Sequence, residues 1–565
     1  MLKLKKLLFT FLLGAPVVLA ASDCCDNSAS SSCSSDCDES PISQNLWQPH
    51  AFSNYASREI LIMKGLDVDA TEDKWLNRFG FATEYMQNFG HNCAGLGALP
   101  FWSGTNTMTI GNNDGLADLD AYQFGMGNVV TEDGIGGKIT LSPKVQHVGT
   151  EFLWYAMQNE DKVGAYFKVK VPLGAMIMKN NLCEVPAQLT NENVYTGTEG
   201  ATLFPPATFY QSLTAAFASG TYFQNPLYNY GKIECCNQTT IRLGDITAAV
   251  GANFVARENG LFGAAFKVSC PTGNVPQAVY MLEPIFGRAG HWGVGGEIQG
   301  HYRYDFNKDK CGLDYVNVWI QGEAMHLFSG RKPSWRSFDL AANGKGSKYL
   351  LIQHYKYAPD GVTFVPDYID AAINYTTLPV VSTFAVEGNV ALMIDFVRDG
   401  WNLSIGGDFW ARSKERLSID SCRVVSARNN EFYDFNLNDW AVIGRQIGEL
   451  SSTVGQPNIT WCQPLAKINE SVARQTTTTN AFPDVVKDAS LSENRIPADY
   501  NTALDICGAA AHKIYTGKVL GELGYTWSDS CHVPHVSIFG GAELSAKDSN
   551  WVNMWSVGLQ GSLQF

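Results

Sequence analysis

The sequence predicts an all-β fold, a transmembrane antiparallel β-barrel of about 16 strands (about 14–18) with long extracellular loops. Three observations predict it. Stretches of ten or so residues recur in which apolar and polar side chains alternate, and a strand puts alternate side chains on opposite faces. Charged residues are only 17% of the chain and aromatics 12%, with 53 glycines, against a usual charged share of about 25%. No run reaches the roughly 18 apolar residues of a membrane-spanning helix. An apolar exterior without apolar runs is what alternation produces.

The chain opens with Lys3, Lys5 and Lys6, then an apolar stretch from Leu7 to Leu19 and small residues. This is the pattern of a secretory signal peptide over residues 1–20. Its removal takes the net charge from −14 to about −17, a balance that argues against nucleic-acid binding. Residues 21–70 form a Cys/Ser/Asp-rich N-terminal arm, of low complexity over 22–46. Fourteen cysteines in an exported chain point to disulfides. Cys24, Cys25, Cys33, Cys37, Cys235, Cys236, Cys422 and Cys462 are the candidates, with no pairing deducible. The first four match no zinc module, and their tract has no His.

Residues 71–565 carry the barrel. Alternation starts near Trp75, where Trp75, Phe79, Phe81, Tyr85 and Phe89 oppose Arg78, Glu84 and Asn88. Val163, Ala165, Phe167, Val169, Val171 and Leu173 oppose Tyr166, Lys168 and Lys170. The pattern recurs over 291–305, 316–324, 384–397, 401–412, 511–527, 536–545 and 551–565. These segments exceed the usual soluble strand of about five or six residues and suit a tilted span of about nine to eleven. Aromatics such as Trp292, Tyr304, Trp401 and Phe409 stand toward strand ends, as in an interfacial girdle. Val397-Arg398-Asp399-Gly400 reads as a tight hairpin turn. Two long insertions interrupt the barrel, 178–240 and 413–510; the first holds a candidate amphipathic helix over 209–217. Counting strand directions back from the end places 413–510 outside the cell. The alternation of directions fails upstream of residue 345 and would put 178–240 on the opposite side.

No His-Glu-x-x-His helix, Gly-x-Ser-x-Gly elbow or phosphate-binding loop occurs, and no catalytic residue, cofactor or metal is assigned. His291 and His301 share a face with Glu297 and Arg303, which reads as polar wall lining. Asn112, Asp114, Asp118 and Asp120 resemble part of a calcium loop but lack both end ligands. The inward faces supply the pore-lining candidates Lys168, Lys170, Glu297, His301, Arg303, Asp305, Glu323, Glu387, Asp395, Asp408, Arg412, Lys518, Glu522 and Glu543. Acids outnumber bases among them, so a mild cation preference follows.

The signal peptide, the repeated two-faced strands and the terminal Phe565 together resemble Gram-negative outer-membrane porins. In that class a C-terminal aromatic is read by the outer-membrane assembly machinery. The resemblance implies a bacterial outer-membrane location, contact with membrane lipid, and passive diffusion of small hydrophilic solutes or ions through a wet lumen. It also implies a possible homo-trimer. Porins carry few cysteines, and the abundance here is reminiscent of the major outer-membrane proteins of intracellular bacteria such as chlamydiae. That second resemblance implies a disulfide-linked oligomer, a structural envelope protein or a surface adhesin built on the same barrel. A secreted soluble array of β-sandwiches is a third reading.

Overall fold

The fold is a closed up-and-down barrel of 12 antiparallel strands, seen in a computed structural model. The structure describes residues from Ser43 onward with interruptions. Residues 1–42, 121–134, 186–213, 218–227, 429–439, 445–460, 469–485 and 488–498 lie outside the described residues, with several shorter gaps. The strands are β1 (Trp75–Asn88), β2 (Lys144–Gln158), β3 (Gly164–Lys179), β4 (Ile246–Arg257), β5 (Gly260–Cys270), β6 (His291–Asp305), β7 (Tyr315–Ser329), β8 (Thr377–Arg398), β9 (Trp401–Arg412), β10 (Ile514–Thr526), β11 (His535–Ser545) and β12 (Met554–Gln564). Each pairs with its neighbours in sequence, and β12 closes on β1 with Phe79 opposite Leu563 and Phe81 opposite Gly561. Phe565 extends this seam: its amide donates to the Asn77 carbonyl at 2.8 Å, and the Asn77 amide donates back at 2.9 Å. Closure gives each of the twelve barrel strands a partner on both sides, the condition for crossing lipid with strands.

The expected count of about 16 is therefore too high. The expected segments at 75–89, 291–305, 384–397, 401–412 and 536–545 coincide with strands, but β2, β4 and β5 were not among them. Restoring these three repairs the strand directions. The segments 180–245 and 413–513 then fall at the same end of the barrel, together with 89–143, 271–290 and 330–376. The other end carries short connections such as 258–259 and 399–400. In the latter, Asp399 and Gly400 both have positive φ (48° and 81°), which is the two-residue hairpin turn that Asp-Gly favours. We call the two ends the loop end and the turn end.

The loop-end segments fold over the barrel mouth. A five-stranded sheet joins 351–357, 363–371, 440–444, 461–462 and 486–487, and a four-stranded sheet joins 107–111, 119–120, 135–141 and 182–185. Their buried side chains, among them Phe101, Tyr228, Tyr349, Ile373 and Trp440, form one apolar cluster with Trp47, Phe52 and Tyr55. Of the candidate helix at 209–217, Thr214, Ala216 and Phe217 are described as helical, with Ala216 and Phe217 buried. The remainder lies outside the described residues, as does most of 112–120. There Asp118 accepts from the Thr109 amide and hydroxyl, both at 2.8 Å.

Candidate functional site: a plugged lumen

The barrel interior is occupied by the chain's own N-terminal segment. Helix α1 (Ala56–Met63) lies in the lumen with every residue buried. It ends in a turn: the Lys64 amide still reaches the Ile60 and Leu61 carbonyls, and Gly65 at φ 76° lets the Leu66 amide return to the Met63 carbonyl at 3.2 Å. The barrel clasps both helix ends. At the first turn Asp408 accepts from the Ser57 amide (3.0 Å) and hydroxyl (2.7 Å). At the last turn the Arg78 guanidinium donates to the carbonyls of Ile62 (2.8 Å) and Gly65 (3.3 Å), and to that of Lys64. An acid at the N-terminus and a cation at the C-terminus complement the helix dipole and satisfy its orphan backbone groups.

Above and below α1 the segment runs the height of the barrel. Near the loop end, the Gln44 amide donates to the Leu99 carbonyl at 3.0 Å, and Ser43 Oγ accepts from Lys348 Nζ at 2.9 Å. Burial pulls the Lys348 ammonium below its ordinary pKa. His50 stacks on Trp410 with ring centroids 4.5 Å apart and meets Glu543 at 3.2 Å. Toward the turn end, Lys64 Nζ pairs with Asp395 at 2.7 Å and with Glu522. Residues 43–66 thus thread the lumen from one mouth to the other. The structure places the end of the N-terminal arm inside the barrel.

Most of the wall residues singled out from sequence are buried, and they face the plug. Glu59, 1% exposed, receives Lys168 at 3.0 Å, Lys267 at 3.2 Å and Lys170. Lys168 and Lys267 also pair with Glu297, at 2.8 and 2.9 Å, and Lys267 with Glu323. Arg58 joins Glu84 and Glu151, and Lys518 meets Glu84 at 2.6 Å. Glu387 accepts from Asn54 at 3.0 Å and from Arg288 at 2.7 Å. Arg412 donates to the Gln48 carbonyl at 3.2 Å, and Tyr55 to Glu543 at 2.6 Å. His301 packs on Trp319 at 4.5 Å. Arg303 and Asp305 sit apart from the plug at the turn-end rim, where they pair with each other with side chains 35% and 56% exposed. The expected wet lumen is therefore closed in this structure, because burying these charges demands opposite charges and the plug carries some of them.

Several members of the network were not expected from sequence: Arg58, Glu59, Lys64, Lys267, Arg288 and Glu151. One signal was present. Residues 46–66, rich in aromatic and aliphatic side chains, differ sharply from the Ser/Asp/Cys tract before them. Glu59, Glu297 and Glu323 also stand close enough to share a cation, but Lys168 and Lys267 already pair with these carboxylates. Arg288 arrives from a loop-end segment, held by its own amide donating to Asp245. Burial pushes the Asp245 carboxyl up to about 6. Cys183 is an exposed free thiol and Cys270 a half-buried one. Cys422 lies in a short helix (Ser421–Arg428) and Cys462 in a two-residue strand. The other disulfide candidates lie outside the described residues.

The outer face is the reverse. Ile405, Leu559, Val519, Val250 and Phe266 stand more than half exposed around the wall, flanked toward the turn end by Trp75, Trp401, Tyr304 and Trp527. No family model and no curated relative matches the sequence. Among solved structures, an outer membrane channel from Pseudomonas putida F1 is similar at 9% identity and a TM-score of 0.34, covering 88% of this chain and 98% of that one. A FadL homologue from Pseudomonas aeruginosa is similar at 8% identity and a TM-score of 0.24, covering 93% and 95%. Likenesses this slight carry nothing further to this chain. What decides its setting is the closed wall with an apolar belt far larger than a soluble surface tolerates. The protein is an outer-membrane β-barrel.

Proposed function

We propose that this protein is a gated, non-catalytic outer-membrane channel. In the resting state residues 43–66 close the barrel, and small hydrophilic solutes or ions diffuse through only when that segment is displaced. The observation that carries the reading is the mutual charge matching of plug and wall. Wall acids Glu84, Glu151, Asp395, Glu522 and Glu543, and wall bases Lys168, Lys170 and Lys267, all find a partner on residues 50–64. Such polar walls are costly around a permanently dry core and are suited to water once the plug leaves. With the plug out, the buried wall acids outnumber the buried wall bases, and a mild cation preference follows.

Planar-bilayer recordings test this. Full-length protein is expected to be closed for most of the record, and a variant lacking residues 43–66 to conduct steadily with a cation-selective reversal potential in a salt gradient. A continuously open full-length protein, or a heat-modifiable deletion variant that stays silent, defeats the proposal.

A second reading, a structural envelope protein or adhesin, is favoured by the cap. Loop-end segments bury Trp102, Tyr349 and Trp440 in a folded surface where an open vestibule would serve diffusion better. A ladder of oligomers on non-reducing gels that collapses with reductant supports it; an unchanged monomer or a heat-labile trimer supports the channel.

A further inference from the structure

The plug has a direction, and the direction carries information about the chain before it. β1 starts at the turn end with Trp75, and the C-terminal seam is there too. Reading backward from β1, Gly65 and Lys64 lie at the level of Arg78, Thr526, Asp395 and Glu522, in the turn-end third of the wall. Glu59 and Arg58 lie at mid-height, against Lys168, Glu151 and Glu84. Asn54 and His50 lie against Glu387, Asn389 and Glu543, in the loop-end third. Ser43 and Gln44 lie beyond the barrel strands and, among the described residues, bond to loop-end segments: Lys348, Gly346, Leu99, Gly508 and Ala510. The segment therefore does not enter and leave by the same mouth. It crosses the barrel once.

In outer-membrane barrels the short turns face the periplasm and the long loops the exterior. We infer that residues 43–66 carry the chain through the membrane inside the barrel, so that the arm preceding Ser43 is displayed on the outer face. The barrel is then an anchor for its own N-terminal arm, whether or not it also conducts. The arm's chemistry suits a surface. Between the signal peptide and Ser43 it carries Asp23, Asp26, Asp36, Asp38 and Glu39 with no lysine or arginine, among serines and Cys24, Cys25, Cys33 and Cys37. That composition is strongly acidic and polar. Any covalent partner of these four cysteines is then met outside the membrane, on the side of the exposed Cys183.

Epitope placement on whole cells tests this with the full-length protein. One variant carries an epitope after Ser30; a second carries the same epitope within 307–312, at the turn end. Heat-modifiable migration certifies that each barrel has folded. Antibody is expected to bind the Ser30 variant on intact cells, and the 307–312 variant only after the outer membrane is permeabilised. A Ser30 epitope reached only after permeabilisation overturns the inference. A second readout needs no insertion. Protease shaving of intact cells expressing the unmodified chain, followed by mass measurement of the barrel, is expected to remove the arm ahead of Ser43. An arm retained on shaved cells but lost from permeabilised ones overturns the inference as well.

Discussion

The two faces of the barrel wall are built to opposite rules, although they come from alternate residues of the same strands. On the outer face Ile405 is 58% exposed among other exposed apolar side chains such as Leu403 and Phe409, while one residue along, Ser404 is 3% exposed and accepts from Lys64 Nζ at 2.6 Å. The outer face needs only bulk apolar character, because lipid asks for no partner. The inner face needs specific partners, because a charge out of water is tolerated only when paired and hydrogen-bonded. Substitutions should therefore act by different physics on the two faces, and the size of their effects should follow.

The largest effect is expected at Glu59. It pairs with three lysines contributed by two different strands, and removing one partner of a buried ion pair costs about 3–5 kcal/mol. Glu59→Gln should release the plug by that order, and Glu59→Lys by more. The checks are urea midpoints of the heat-modifiable band and protease sensitivity of residues 43–66. A plug as resistant to cleavage in Glu59→Lys as in the wild type would show that the ammoniums find other partners.

The outer face gives a smaller, depth-dependent effect. Arginine on the lipid side costs about 2–4 kcal/mol at the bilayer midplane and about 0–1 near the interface. Ile405→Arg, near the middle of β9, should lower folding stability by the first amount, and Trp401→Arg, at its turn-end start, by the second plus the lost aromatic contact with Tyr525. Equal losses in lipid-vesicle folding titrations would mean that the belt is not centred as the exposed residues place it.

The same contrast explains what could be read in the sequence. Lipid-facing strands such as Trp401–Arg412 and Met554–Gln564 were legible because one face is continuously apolar and the other polar. β2 was not, because its inward face carries Val145, Leu153, Tyr155 and Met157, all buried. A plug is as good a neighbour for apolar groups as lipid is, so alternation fades where the lumen is packed. β4 and β5 were hidden differently: Ala248, Ala249, Gly251, Ala252, Gly263, Ala264 and Ala265 have too little side chain to show a face. The inward direction of Lys168, Glu297 and Asp395 was legible from period alone. Their occupant was not, since alternation reports polarity and says nothing about what satisfies it. The clue lay outside the barrel strands, in inward apolar positions such as Trp319, Met393, Leu520 and Phe539 that a water-filled pore has no use for, and in an apolar stretch at 46–66 to fill them.

The smallest effect sharpens the comparison within one set of residues. Arg303 and Lys168 both lie on inward positions, and periodicity cannot separate them. Lys168 is 1% exposed, between Glu59 and Glu297. Arg303 sits at the turn-end rim, pairing with Asp305 at 2.7 Å while both side chains stay solvated, and lying 4.1 Å from the centre of the Tyr315 ring. An exposed ion pair contributes about 0.2–1 kcal/mol, and its Coulomb part is screened at physiological salt. Arg303→Ala should therefore shift the urea midpoint by less than about 1 kcal/mol, and by less still in high salt. Lys168→Met should cost several-fold more, with little salt dependence, because it strands part of Glu59 and Glu297 in a dry interior. Similar losses for the two variants would mean that the lumen at Lys168 is wet, and that the plug is not where its charge partners put it.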